Sequence, residues 1–176
     1  MRRPYMRGVV DLVIRKVTGD DDFLAIGRIY VDGWRSAYKG IMPQGYLDRM
    51  DVDEIAAKHR AMARPELVML DDEGKYIGAS VICPSREADK PGWGEVKTMY
   101  LLPEYQGRGL GQVFMDAALA ELKQMGFAKI YLWTQAKNYR ARRFYEKYGF
   151  IKGDELNIYT VDGVDLPEYC YKWGEV

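Results

Sequence analysis

Apolar residues along this chain recur at two spacings, and the switches between them mark out the elements. Val9 to Val17 alternates around β-branched residues and predicts a first strand. Thr18 to Asp22 reads as a turn with a helix-capping cluster. From Phe23 to Tyr38 the spacing becomes helical, with Phe23, Ile26, Ile29, Tyr30, Trp34 and Tyr38 on one side. Gly40 and Pro43 end that helix, a shorter one starts near Gln44, and another spans Asp53 to Met62. Leu67 to Leu70 and Tyr76 to Cys83 then form a hairpin across Asp71-Asp72-Glu73-Gly74. After a polar loop, Glu95 to Leu102 predicts a strand, Val113 to Met125 a helix and Lys129 to Thr134 another strand. That strand–helix–strand order with short links predicts a parallel pair with a right-handed crossover. Asn138 to Tyr148 predicts a last helix, and Phe150 to Tyr159 and Val164 to Trp173 a closing hairpin through Asp162-Gly163. The expectation is an α/β fold: a loose tail over residues 1–8, then one domain over 9–176 with a mixed, mostly antiparallel seven-stranded sheet.

Composition narrows the function classes. The 176 residues suffice for one domain with a real core, and 48% of them are hydrophobic. Lys plus Arg equals Asp plus Glu at 26 each, which argues against a dedicated nucleic-acid binder. Two distant cysteines, Cys83 and Cys170, and the single His59 lack metal-ligand spacing, so no metal is expected. Isolated thiols fit a reducing cytoplasm, and the short apolar run after the basic N-terminus fits neither a secretion signal nor a membrane span. His59, between Lys58 and Arg60, is expected to be exposed.

The chemistry gathers at Pro103 to Gln112, between the strand and helix of the parallel unit. Gly107, Gly109 and Gly111 allow positive φ and close backbone approach, and the following helix starts with unpaired amides. Together these make a phosphate cradle, or else a plain glycine-rich turn. A P-loop is excluded because no Lys-Ser or Lys-Thr follows at the required spacing. The dinucleotide fingerprint fails because Gln112 or Phe114 stands where its last glycine should be. What remains is Gln106-Gly107-Arg108-Gly109-Leu110-Gly111, preceded by Leu102-Pro103-Glu104-Tyr105.

That pattern resembles the acyl-CoA signature [Q/R]-x-x-G-x-[G/A] of the GCN5-related N-acetyltransferases. Asn138 to Phe150 is similar to a second motif of the family, N-x-x-A-x-x-F-Y-x-x-x-G-F, with one strand between the two. Trp34 to Pro43 is also similar to members acting on small substrates. The resemblance covers nearly the whole chain from Val9 and implies acetyl-CoA as co-substrate. Its pyrophosphate would lie on the amides of Gln106, Gly107, Arg108, Gly109, Leu110, Gly111 and Gln112. Its pantetheine arm would pair with the backbone around Met99, Tyr100 and Leu101, with Asn138, Arg142 and Tyr145 also at the cofactor. Direct attack of a primary amine on the thioester is implied, and an alkyl amine is only about 0.04% neutral at pH 7. Glu95 holds the position of the general base in some members; a water chain, or a plain surface carboxylate, are the alternatives. Tyr145 holds the position of the acid that protonates the departing thiolate, and a backbone N–H near Met99 would stabilise the oxyanion.

The acceptor would be a small-molecule or peptide amine, met by Trp34 and Tyr38, with Tyr46, Trp133 and Tyr159 also available. Asp32, Asp48 and Asp51 could attract a cation. No nucleic acid or membrane partner is implied, and a homodimer is left open. A CoA-binding module without turnover, and an RNA-binding module using the basic helix at 137–147, are the competing readings.

Overall fold

Two helix faces and one sheet account for the core of the computed structural model, which describes residues 12–62 and 65–174. The expected tail at 1–8 and the start of the expected first strand lie outside those residues. Within them the strand is β1 (Val13–Lys16), followed by α1 (Phe23–Tyr38), α2 (Gln44–Asp48) and α3 (Val52–Arg60). Next come β2 (Glu66–Leu70), β3 (Tyr76–Pro84) and β4 (Gly94–Leu101), then α4 (Leu110–Gln124), β5 (Ile130–Gln135), α5 (Tyr139–Tyr148), β6 (Ile151–Val161) and β7 (Val164–Trp173). The strands form one seven-stranded sheet in the order β1-β2-β3-β4-β5-β7-β6. Only β4 and β5 run parallel; the other pairs are antiparallel.

Helix α1 forms because Asp22 caps it, its side chain accepting from the Ala25 amide at 3.0 Å, and because Phe23, Ile26, Ile29 and Tyr30 share one buried face. Two of its glycines are set by packing. A Cβ on Gly27 would stand 2.6 Å from the Val52 carbonyl oxygen of α3, and one on Gly33 would stand 2.9 Å from the Tyr100 ring of β4. This face of the sheet buries Val68, Ala79 and Val81 under α1 and α3. The other face buries Met69, Ile77, Val96, Ile130 and Leu132 under Phe114, Met115, Leu119 and Leu122 of α4.

Two irregularities position the site. Strand β4 pairs with β5 only at Gly94↔Ile130 and Glu95↔Tyr131, after which the two strands separate. On its other side β4 carries a bulge, since Val81 pairs with Thr98 but Ile82 with Val96, leaving Lys97 as the extra residue. A bulge bends and re-aims its strand. Together they open a cleft at the sheet centre. Two expectations are corrected here. Helix α4 starts at Leu110, three residues before Val113, because Gly109 takes a left-handed conformation as N-cap, with φ 82°. His59 is half-buried rather than exposed: its ring stacks on Tyr30 at 4.0 Å, and Nδ1 lies 3.0 Å from Glu66 Oε2. Tyr30 supplies a stacking face and Glu66 a hydrogen-bond partner, which together draw the ring inward.

Candidate active site

The cleft is a cavity of about 1060 Å³ between the parted ends of β4 and β5, walled by α1 on one side of the sheet and by the starts of α4 and α5 on the other. Most of the expected site residues meet here. Trp34, Tyr38, Glu95, Met99, Tyr100, Leu101, Gln106, Gly107, Gly109, Gly111, Gln112, Asn138 and Tyr145 line it; Arg108, Leu110 and Arg142 do not.

The glycine turn is built from backbone. Gly107 and Gly109 both have positive φ, at 77° and 82°. Gly111 instead lies in the first turn of α4, where an added Cβ would touch the Phe144 ring at 3.4 Å. Among the described residues, the amides of 107–111 donate to no protein acceptor; the next bond is from the Gln112 amide to the Gly109 carbonyl at 3.1 Å. Five unpaired N–H groups at a helix start match a bound anion in charge and number. The Gln106 side chain does not reach into this cradle. Its Nε2 donates to the Leu101 carbonyl at 2.8 Å and ties the turn to the end of β4. Asn138 is likewise spent on structure, capping α5 by accepting from the Ala141 amide at 3.1 Å. Beyond Glu95, the β4 edge that faces β5 has lost its strand partner, so its backbone is open to an extended ligand.

Arg142 points elsewhere than expected. Its Nε donates to the Tyr171 hydroxyl at 3.1 Å and its Nη1 to the Ala136 carbonyl at 2.9 Å. Those acceptors draw the guanidinium toward β7 and away from the cleft. The cations that do line the cavity are Arg86, Lys97, Lys137, Arg140 and Lys147. Arg108 stacks its guanidinium over Tyr105, 5.2 Å from the ring centre.

Tyr145 stands on α5 between Phe144, Phe150 and Tyr171. Burial, with Tyr38 close by, pushes its phenol well above the ordinary value, so at neutral pH it carries its proton. Among the described residues its hydroxyl has no hydrogen-bond partner, although it lines the cavity. Glu95 is not a surface carboxylate; it is 3% exposed. Arg86 Nε and Nη2 donate to its two oxygens, each at 3.1 Å, and Cys83 Sγ lies 3.6 Å from Oε2. With both oxygens engaged by one guanidinium, Glu95 is poorly placed to take a proton from an amine.

On the α1 side, Trp34 and Tyr38 pack edge to face at 5.1 Å, and the Tyr38 hydroxyl meets that of Tyr100 at 3.2 Å. Trp133 and Tyr159 line the same space, but Asp32, Asp48 and Asp51 do not. Asp51 caps α3 through the Glu54 amide, and Asp48 accepts from Gln44. Two acids that line the cavity were overlooked in the sequence, Glu87 and, on β7, Glu168. For Glu168 the surroundings are defined. Gln135 Nε2 donates to its Oε1 at 2.8 Å and Asn157 Nδ2 to its Oε2 at 3.1 Å. Burial raises its carboxyl above the usual range, and the nearby Glu95 charge adds to that. A signal existed: Leu166, Glu168 and Cys170 share one strand face, where an acid between two buried apolar residues is out of place.

The sequence and the fold around this cleft are both similar to those of known proteins. The profile described as the acetyltransferase (GNAT) family matches residues 31–150. The chain belongs to this family. Among its relatives, the N-acetyltransferase YuaI of Bacillus subtilis, itself uncharacterized, is 28% identical over 157 residues, 89% of this chain and 90% of that one. The PaiA N-acetyltransferase of Thermoplasma acidophilum, solved with coenzyme A, superposes with a TM-score of 0.66 at 21% identity, over 90% of this chain and 98% of that one. YncA of Salmonella typhimurium, solved with acetyl-CoA, gives 0.68 at 21% identity, over 93% of each. The two solved structures share the fold of this acetyltransferase: a seven-stranded sheet, one parallel pair, helices on both faces.

Proposed function

We propose that the protein transfers an acetyl group from acetyl-CoA to a primary amine of a small molecule or peptide, by direct attack within a ternary complex. The observation that carries this is the run of unpaired amides at 107–111 beside the unpartnered edge of β4. The amides suit a pyrophosphate, with Lys137, Arg140 and Lys147 nearby to balance its charge, and the β4 backbone around Met99, Tyr100 and Leu101 suits the amides of a pantetheine arm. That relatives of the same fold were solved with coenzyme A and acetyl-CoA supports the assignment.

The thioester then lies between Tyr145 on one side and the aromatic pocket of Trp34 and Tyr38 on the other. A neutral amine forms a C–N bond to the thioester carbon, the C–S bond breaks, and the Tyr145 hydroxyl gives its proton to the departing sulfur and regains one from the acylated nitrogen. The β4 amide near Met99 serves the developing oxyanion. Residues 9–176 act together as one acetyltransferase domain on this reading. Buried Cys83 and Cys170, neither in a disulfide among the described residues, support a reducing, cytoplasmic setting. The exposed Ile151, Leu156 and Ile158 of edge strand β6 support pairing with a second copy.

The test is a thiol-release assay with acetyl-CoA and a panel of primary amines: putrescine, glycinamide, phenethylamine and a peptide with a free N-terminus. Amine-dependent release of CoA is expected for at least one class. Binding of acetyl-CoA with no release across the panel would overturn the transfer reading.

A further inference from the structure

We propose that Glu168 seats the ammonium group of the acceptor and takes its first proton; this rests on reading the cleft as an acetyl-transfer site. The cavity holds three acids, Glu87, Glu95 and Glu168. Glu95 already has both oxygens on Arg86. Glu168 is held differently. Its hydrogen-bond donors are two neutral amides, Gln135 from β5 and Asn157 from β6, one on each oxygen. They fix the carboxylate without neutralising it. Each carboxylate oxygen can accept more than one hydrogen bond, so room remains for an ammonium.

The surroundings fit the same ligand. Gln135 is 1% exposed, so its bond to the carboxylate is shielded from water. Trp34, Tyr38 and Tyr159 line the cavity, and aromatic faces favour a cation at close range. The groups bearing on Glu168 are Glu95 and Lys97 of β4, Tyr38 of α1 and Tyr159 of β6. The carboxyl sits above its ordinary value through burial, so it is a better proton acceptor than a surface glutamate.

The protons balance. The ammonium gives one proton to the Glu168 carboxylate and becomes a neutral amine. That amine bonds to the thioester carbon, and the C–S bond breaks. Tyr145 protonates the departing sulfur and regains a proton from the acylated nitrogen, and Glu168 returns its proton to water. The sum is one ammonium and one thioester giving one amide, one thiol and one released proton. The acceptor class is an unhindered primary amine, cationic at neutral pH.

The experiment uses full-length protein saturated with coenzyme A, carrying 13C in its glutamate carboxyls, titrated with ethylammonium chloride against matched sodium chloride. The Glu168 resonance is assigned by its loss in Glu168→Gln. A saturable shift of that resonance with ethylammonium, and none with sodium, is expected. In the thiol-release assay E168Q should lower kcat/KM for the amine at least roughly tenfold, as for loss of a charged hydrogen bond, and leave KM for acetyl-CoA unchanged. A Glu168 resonance indifferent to ethylammonium, or wild-type kcat/KM in E168Q, would overturn the proposal. Should E168Q not fold, Glu168→Asp gives the same assignment and is held to the same loss. A protein that shows no stabilisation by acetyl-CoA fails the acetyl-transfer reading itself, a separate result.

Discussion

At the scale of single residues, Tyr145 and Glu168 face the cleft from opposite sides of the sheet with opposite proton habits. Tyr145 is held protonated by burial and by nearby Tyr38. Tyr145→Phe removes one oxygen from a residue packed among aromatics, so it should fold. Its kcat should fall about 100-fold, the scale of general acid catalysis, with acetyl-CoA affinity unchanged. Single-turnover kinetics beside a binding titration check this. Glu168 has its carboxyl raised, so the folded state binds a proton more readily there than the unfolded chain does. Stability is therefore lost as pH rises from the ordinary carboxylate range, about 4.3, through the raised folded value. The neutral isostere Glu168→Gln escapes that loss. Calorimetry should find E168Q melting above wild type at pH 7.5 and no higher than wild type at pH 4. Equal destabilisation at both would mark the carboxylate as purely structural. Tyr145 was legible from its place in the motif. Glu168 was only half legible: its place between Leu166 and Cys170 marks an acid on an apolar face, but the β4–β5 opening that brings the cavity to it lies elsewhere in the chain.

The elements explain why the glycine turn can be a cradle at all. Gly109 caps α4 with a left-handed backbone, so the helix starts at Leu110. In that first turn Leu110 packs on the core, while Gly111 and Gln112 line the cleft. A Cβ at Gly109 would meet nothing within 4 Å, so the constraint there is the backbone angle and not space. Gly109→Val should cost about 1–3 kcal/mol and turn the amides of 107–111 away from convergence. Both a lower melting temperature and weaker acetyl-CoA binding are expected, and wild-type affinity in that variant would count against the cradle. Helix α5 shows the limit of spacing arguments. Asn138 and Tyr145 face the cleft, yet Arg142 between them is drawn off by Tyr171 and the Ala136 carbonyl. A long flexible side chain follows its best acceptor, which helical periodicity cannot specify.

For the whole molecule, the sheet is a scaffold interrupted at one place. Strands β1 to β4 pair in succession, as do β5, β7 and β6, and the two halves share only two residue pairs among the described residues. A ligand lying along the free edge of β4 would add strand-like bonds where the halves part. Acetyl-CoA at 100 times its Kd should therefore stabilise the protein by about 2.7 kcal/mol, a rise of roughly 5–10 °C for a chain of this size. A thermal-shift series checks this, and no shift at millimolar ligand would sink the cofactor assignment.

Taken alone, the sequence determined the elements, the parallel unit and the family, because periodicity, turn residues and motif spacing are local properties. The limits of α1 and β7, and the order of all seven strands, followed from them. Tertiary structure decided which side chains the cleft receives. It engaged Glu95 with Arg86, turned Arg142 toward β7, packed His59 against Tyr30 and Glu66, and brought Glu168 to the cavity. Each of those outcomes depends on a partner distant in sequence. The charge a site presents is what remains after such partners have taken their share.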